Sequence, residues 1–214
     1  MYAGTMRKIA DIHTFEDESF LKTVTCLSVA ALVAGLLVAL AVALGVAMCA
    51  PQLFDPELTA MFDEGGFLRF LAWLVGVSAA TMLSLGVHEL VHAVFFKAYA
   101  PAGAHVTFGA NWKLGMLYAC AEGIVYTRRQ YLVIALAPSI AVTALCLVLG
   151  FVLGHPVAGS FVAVLHLSGC SGDWAYVREI TGDPAITHCE DTDYGVCFYG
   201  EDACGEGDGG KVDA

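Results

Sequence analysis

The sequence predicts an all-α membrane protein, with about four transmembrane helices and a short β-hairpin inserted between the second and the third. Three observations lead there. Hydrophobic residues make up 58% of the 214 and charged residues only 14%, with a mean hydropathy of +0.70, far too apolar for a soluble domain of this size. Four long runs nearly free of charge divide the chain, each able to cross about 30 Å of hydrocarbon. Between the second and third runs the pattern changes to β-branched and aromatic residues cut by glycines. The net charge of −11 comes mainly from the N-terminal segment, the loop at 55–64 and the C-terminal tail, and so describes solvated ends. Ten Lys and Arg in scattered positions make no basic patch, which disfavours nucleic-acid binding.

Residues 1–23 are polar and mixed in charge, with Asp11, Glu16, Asp17 and Glu18 against Arg7, Lys8 and Lys22. This is not the short basic region and apolar core of a secretory signal. Val24 to Ala50 then carries no charge and ends at Pro51, which marks the first span. An acidic loop without Lys or Arg follows, and Phe67 to Tyr99 forms the second span, broken by the Ala100–Gly103 sequence APAG. From His105 to Arg129 the chain reads as two or three short strands. Open strands do not sit in lipid, so this piece belongs at the interface or lines a cavity within the protein. Tyr131 to Leu153 forms the third span, with Pro138 as a kink, and Val157 to Ile180 the fourth. Residues 24–180 thus form one integral membrane domain. Residues 181–214 form an acidic, Gly-rich tail whose end, from Glu201, is expected to be disordered.

Lys97, Lys113, Arg128, Arg129 and Arg178 cluster around one set of span ends, while the loops at 51–66 and 154–156 carry no basic residue. By the positive-inside rule both termini and the hairpin face the cytoplasm.

The chemistry lies at the far end of the second span, in Leu85–Lys97, LGVHELVHAVFFK. His88, Glu89 and His92 stand there in an apolar helical run, where an unpaired ionisable group costs at least a few kcal/mol. The His-Glu-x-x-His spacing puts both imidazoles on one helical face, able to bind one Zn²⁺, with Glu89 beside the open position as general base. A catalytic zinc has three protein ligands as a rule. Asp173, in LHLSGCSGDW, is the one other acidic residue inside the spans, Glu179 lying at the boundary, and counting residues from the span ends puts it at the depth of His92. It would alternatively pair with Arg178 or cap a broken helix. His166 competes for the third position, on much the same face but about 10 Å deeper along a continuous helix; otherwise it is a buried hydrogen-bonded group behind the ligands. Four of the eight cysteines, Cys26, Cys49, Cys146 and Cys170, lie in spans and read as small buried hydrophobes. Cys189, Cys197 and Cys204 lack the spacing of a structural zinc site.

VHELVHAVFFKAYAP, followed by YTRRQYLVIALAPSI and HLSGCSGDWAYVREITGDPAITHCEDTDYGVCFY, resembles a family of bacterial multi-pass membrane zincin peptidases. Their layout is similar to the core of site-2 proteases. The resemblance covers roughly residues 67–199 and implies zinc held by His88, His92 and Asp173, with Glu89 as base. The site-2 protease pattern carries an Asp-Gly motif on its later helix, whereas Asp173 precedes Trp174 here. Two function classes follow. One is an intramembrane or juxtamembrane zinc metallopeptidase acting on a peptide or membrane-protein substrate beside the lipid bilayer. The other is a zinc-binding membrane scaffold or metal-handling protein without hydrolytic activity.

Overall fold

The computed structural model of the chain describes residues 6–60, 65–103, 105–111, 116–121 and 123–201. Strand β1 (Met6–His13) leads into helix α1 (Glu18–Cys49). Asp17 starts the helix: its carboxylate accepts from the backbone N–H of Ser19 (2.9 Å) and of Phe20 (3.0 Å), satisfying two donors that no helical carbonyl can reach. Val29, Val33, Leu37, Leu40 and Leu44 of α1 are exposed, an apolar surface suited to lipid. A 3₁₀ turn at Pro51–Leu53 and the short helix α2 (Pro56–Thr59) connect it to α3 (Gly66–Tyr99). The hairpin β2 (Thr107–Asn111) and β3 (Met116–Cys120) follows, then β4 (Val125–Thr127) and α4 (Arg128–Val152). Thr127 and Gln130 close a reciprocal capping box at the start of α4. The chain ends in α5 (Pro156–Gly169), α6 (Ser171–Gly182), β5 (His188–Asp191) and β6 (Gly195–Glu201).

Among the described residues, three helices, α1, α3 and α4, are long and apolar enough to cross a membrane. The fourth predicted span is divided. Its first part, α5, has 14 residues and so reaches only about 21 Å, and the helix is interrupted at Cys170 before α6 begins. Gly169 and Gly172 flank the interruption, where missing side chains weaken helical preference.

The β structure is larger than the hairpin. β1, β6, β5 and β4 form an antiparallel sheet in that order, with Met6 opposite Glu201 and Thr127 opposite His188. β4 therefore pairs with the segment after α6 and not with β2 or β3, and the polar N-terminal segment supplies a strand. Ile12, Phe96, Tyr126, Ile180 and Phe198 are buried between this sheet and the helix ends. The sheet closes the end of the bundle at which α3 finishes and α4 begins. Tyr126 ties the two together by donating its phenol to the Phe96 carbonyl at 3.1 Å.

At the opposite end the acidic loop is not wholly solvated, as its composition suggested. Asp55 is fully buried and accepts from the Trp73 indole (2.9 Å) and from the backbone N–H of Val157 (2.9 Å) and Ala158 (2.8 Å). It caps the first turn of α5 from a distant part of the chain, and the helix dipole favours its negative charge there. Close by, α4 and α5 approach backbone to backbone: a Cβ on Gly150 would come within 2.7 Å of the Gly159 Cα. The end of the acidic tail, with Cys204, and residues 112–115, with Lys113, lie outside the described residues.

Candidate metal centre

The buried stripe of α3 runs through Ser84, His88, His92 and Phe96, each one turn from the last. Helical periodicity thus aims both imidazoles into the bundle. Across from them, the interruption at Cys170 starts α6 so that Asp173 falls in its first turn. The three predicted ligands come together. His88 Nε2 lies 3.2 Å from Asp173 Oδ2, His92 Nε2 3.4 Å from Asp173 Oδ1, and the two Nε2 atoms 3.0 Å apart. Asp173 meets these two histidines and not Arg178, whose side chain is exposed. Glu89, the next residue after His88, is half-buried and interacts electrostatically with His92.

The proton positions in this cluster can be followed from its neighbours. His92 Nδ1 donates to the Ile134 carbonyl at 3.1 Å, since a carbonyl can only accept, and in the neutral ring this gives His92 Nε2 the lone pair. That carbonyl is available because Pro138, four residues on in α4, has no N–H to occupy it. The proline expected only to kink the span therefore also fixes the orientation of a histidine on another helix. His88 Nδ1 faces His166 Nε2 at 3.1 Å, and His166 Nδ1 faces the Thr143 hydroxyl at 3.1 Å. With the hydrogens running from His88 to His166 to Thr143, His88 Nε2 also presents a lone pair.

With both rings neutral, two bare nitrogens and a carboxylate converge, an arrangement that a shared cation, a proton or a metal ion, stabilises. The fit to zinc is geometric as well as chemical. Ligands bound tetrahedrally at about 2.0–2.1 Å stand about 3.3 Å from one another, and the three edges here are 3.0, 3.2 and 3.4 Å. The donor set of two imidazoles and one carboxylate is that of a catalytic zinc with an open fourth position. Trp174, where the residue after the Asp departs from the site-2 protease pattern, donates its indole N–H to Ser139 at 2.9 Å and so braces α6 against α4.

His166 does not lie out of reach as a continuous helix would require. It is fully buried and contacts the other nitrogen of the His88 ring, so a single imidazole touches both Asp173 and His166. Cys170 completes the far side, its Sγ 3.7 Å from His88 Nδ1 and 3.8 Å from His166 Nε2. Sequence reasoning missed the Ile134 carbonyl, Thr143, Ser139 and the approach of Cys170. Of these, only the carbonyl left a sequence signal, a proline four residues downstream in an apolar helix.

A family model described as "putative zincin peptidase" matches residues 81–187, which covers α3 from four residues before Leu85 through the helix pair that carries His166 and Asp173. No curated protein and no solved structure matches the chain.

Proposed function

We propose that this chain, which belongs to the family described as "putative zincin peptidase", is a zinc metalloendopeptidase cleaving peptide bonds of membrane-associated substrates within or next to the bilayer. The observation that carries this reading is the convergence of His88 Nε2 and His92 Nε2, on a helix long and apolar enough to cross a membrane, with the Asp173 carboxylate at the start of α6, all within 3.0–3.4 Å. In the proposal His88, His92 and Asp173 hold the metal. Zinc, when bound, polarises the scissile carbonyl and lowers the pKa of a water at its open position. The protein supplies the remainder. Glu89 accepts a proton from the attacking water and passes it to the leaving amine. The Ile134 carbonyl and His166 hold the two ligand rings in the tautomers the site needs. The hairpin gives the substrate a place to extend. Among the described residues β2 and β3 form a separate two-stranded ribbon, and its outer edges can pair with an extended peptide as a further strand. An open groove of about 600 Å³ between α3 and the chain entering this ribbon is lined by Ala93, Val94, Lys97, His105, Val106 and Phe108.

The test is Glu89→Gln. Gln has nearly the shape of Glu but cannot take the proton, so zinc content should stay at the wild-type level while cleavage of candidate membrane substrates falls by at least about 100-fold. Turnover that persists in Glu89→Gln would remove Glu89 as the base.

A further inference from the structure

The groups behind His88 form a second donor set, independent of His92 and Asp173. His88 Nδ1, His166 Nε2 and Cys170 Sγ converge in a fully buried space at 3.1, 3.7 and 3.8 Å. Bonds of about 2.0 Å to nitrogen and about 2.3 Å to sulfur in a trigonal plane would put nitrogen and sulfur about 3.7 Å apart, against 3.7 and 3.8 Å here. The two nitrogens would have to part by about 0.4 Å. A thiolate with two imidazoles selects a soft cation. Charge selects further: one thiolate and two neutral rings around a monovalent cation sum to zero, the state that is cheapest to bury, whereas a divalent ion would leave an uncompensated charge.

We propose that His88, His166 and Cys170 form a binding site for a soft monovalent d¹⁰ cation, Cu⁺ in chemical class, and that the His88 ring is shared between this inner site and the outer one. Loading the inner site alone replaces the Cys170 thiol proton, which is released. The His88 proton moves from Nδ1 to Nε2, where the Asp173 carboxylate at 3.2 Å accepts its hydrogen bond. With both sites filled, the ring bridges them as an imidazolate and a second proton is released. Thr143 stays on His166 Nδ1 throughout and keeps Nε2 aimed at the cation.

Ag⁺ is a redox-inert probe of this class, and binding is read on metal-stripped full-length protein by equilibrium titration and by the thiolate-to-metal absorption. Other cysteines also take Ag⁺, so the readout is a difference between variants. Cys170→Ser and His166→Ala should each bind about one equivalent fewer than wild type, while His92→Ala and Asp173→Ala bind as many as wild type. Zinc binding by Cys170→Ser, which leaves the outer ligands in place, shows that this variant is folded. Equal Ag⁺ stoichiometry in wild type, Cys170→Ser and His166→Ala would overturn the inner site. The outer site fails separately, by zinc retained in His92→Ala.

Discussion

At the residue scale, the arrangement turns on how each ring nitrogen is occupied. Pro138 leaves the Ile134 carbonyl free, and that carbonyl takes the His92 Nδ1 hydrogen at 3.1 Å. Pro138→Ala restores a helical N–H to compete for it. Zinc affinity, measured by competition with a chelator, should fall by about 10-fold or more, the range seen when groups behind a metal ligand are lost. Unchanged affinity would show that the Ile134 contact does not position the ring. The His-Glu-x-x-His element and Asp173 were legible because each announces itself locally, one by spacing and the other by the cost of a carboxylate in an apolar run. His166 lies, as expected, buried and hydrogen-bonded behind a ligand ring, 3.1 Å from His88 Nδ1; which ring it meets was not legible, because its distance was counted along a continuous helix. The interruption at Cys170 and the two-sided contact of the His88 ring are tertiary facts.

At the scale of elements, packing between α4 and α5 rests on bare backbone. Gly150→Ala puts a methyl within 2.7 Å of the Gly159 Cα, where no flexible side chain can yield, and should cost about 1–3 kcal/mol, seen as a lower Tm in detergent. Gly45→Ala, with nothing within 4 Å, is the matched control and should leave Tm unchanged or slightly higher. The sheet carries a pH signature. Tyr199 donates to the Glu190 carboxylate at 2.5 Å, and this bond to the protonated phenol raises its pKa to about 12. A raised folded-state value means the bond contributes fully below the ordinary tyrosine pKa of about 10. Its contribution is lost as pH climbs from there through the folded value. The wild-type minus Tyr199→Phe absorbance difference should titrate near 12; a midpoint near the ordinary value would deny the bond. The long helices could be read from charge-free runs. The four-stranded sheet could not, because its strands come from three separate parts of the chain and neither β1 nor β5 has a hydrophobic run of its own.

At the scale of the molecule, β1 pairs with β6, so the first and last described strands lie at one end of the bundle, beside the start of α4. The proposal that this end faces the cytoplasm rests on Lys97, Arg128, Arg129 and Arg178, against basic-free connections at the other end. Reporters fused before Met1 and after Ala214 should both read as cytoplasmic. An extracytoplasmic signal from either would reverse the orientation of the centre with it. The exposed apolar surface of α1 carries none of the site, which is built on α3, α4 and the α5–α6 pair beneath the sheet. The proposal that these helices form a zinc centre is tested most directly by metal analysis of the purified protein. Wild type and Glu89→Gln should each carry about one Zn²⁺ per chain, and His88→Ala, His92→Ala and Asp173→Ala should lose it through affinities lower by orders of magnitude. Full zinc occupancy in Asp173→Ala or in either histidine variant would contradict the centre.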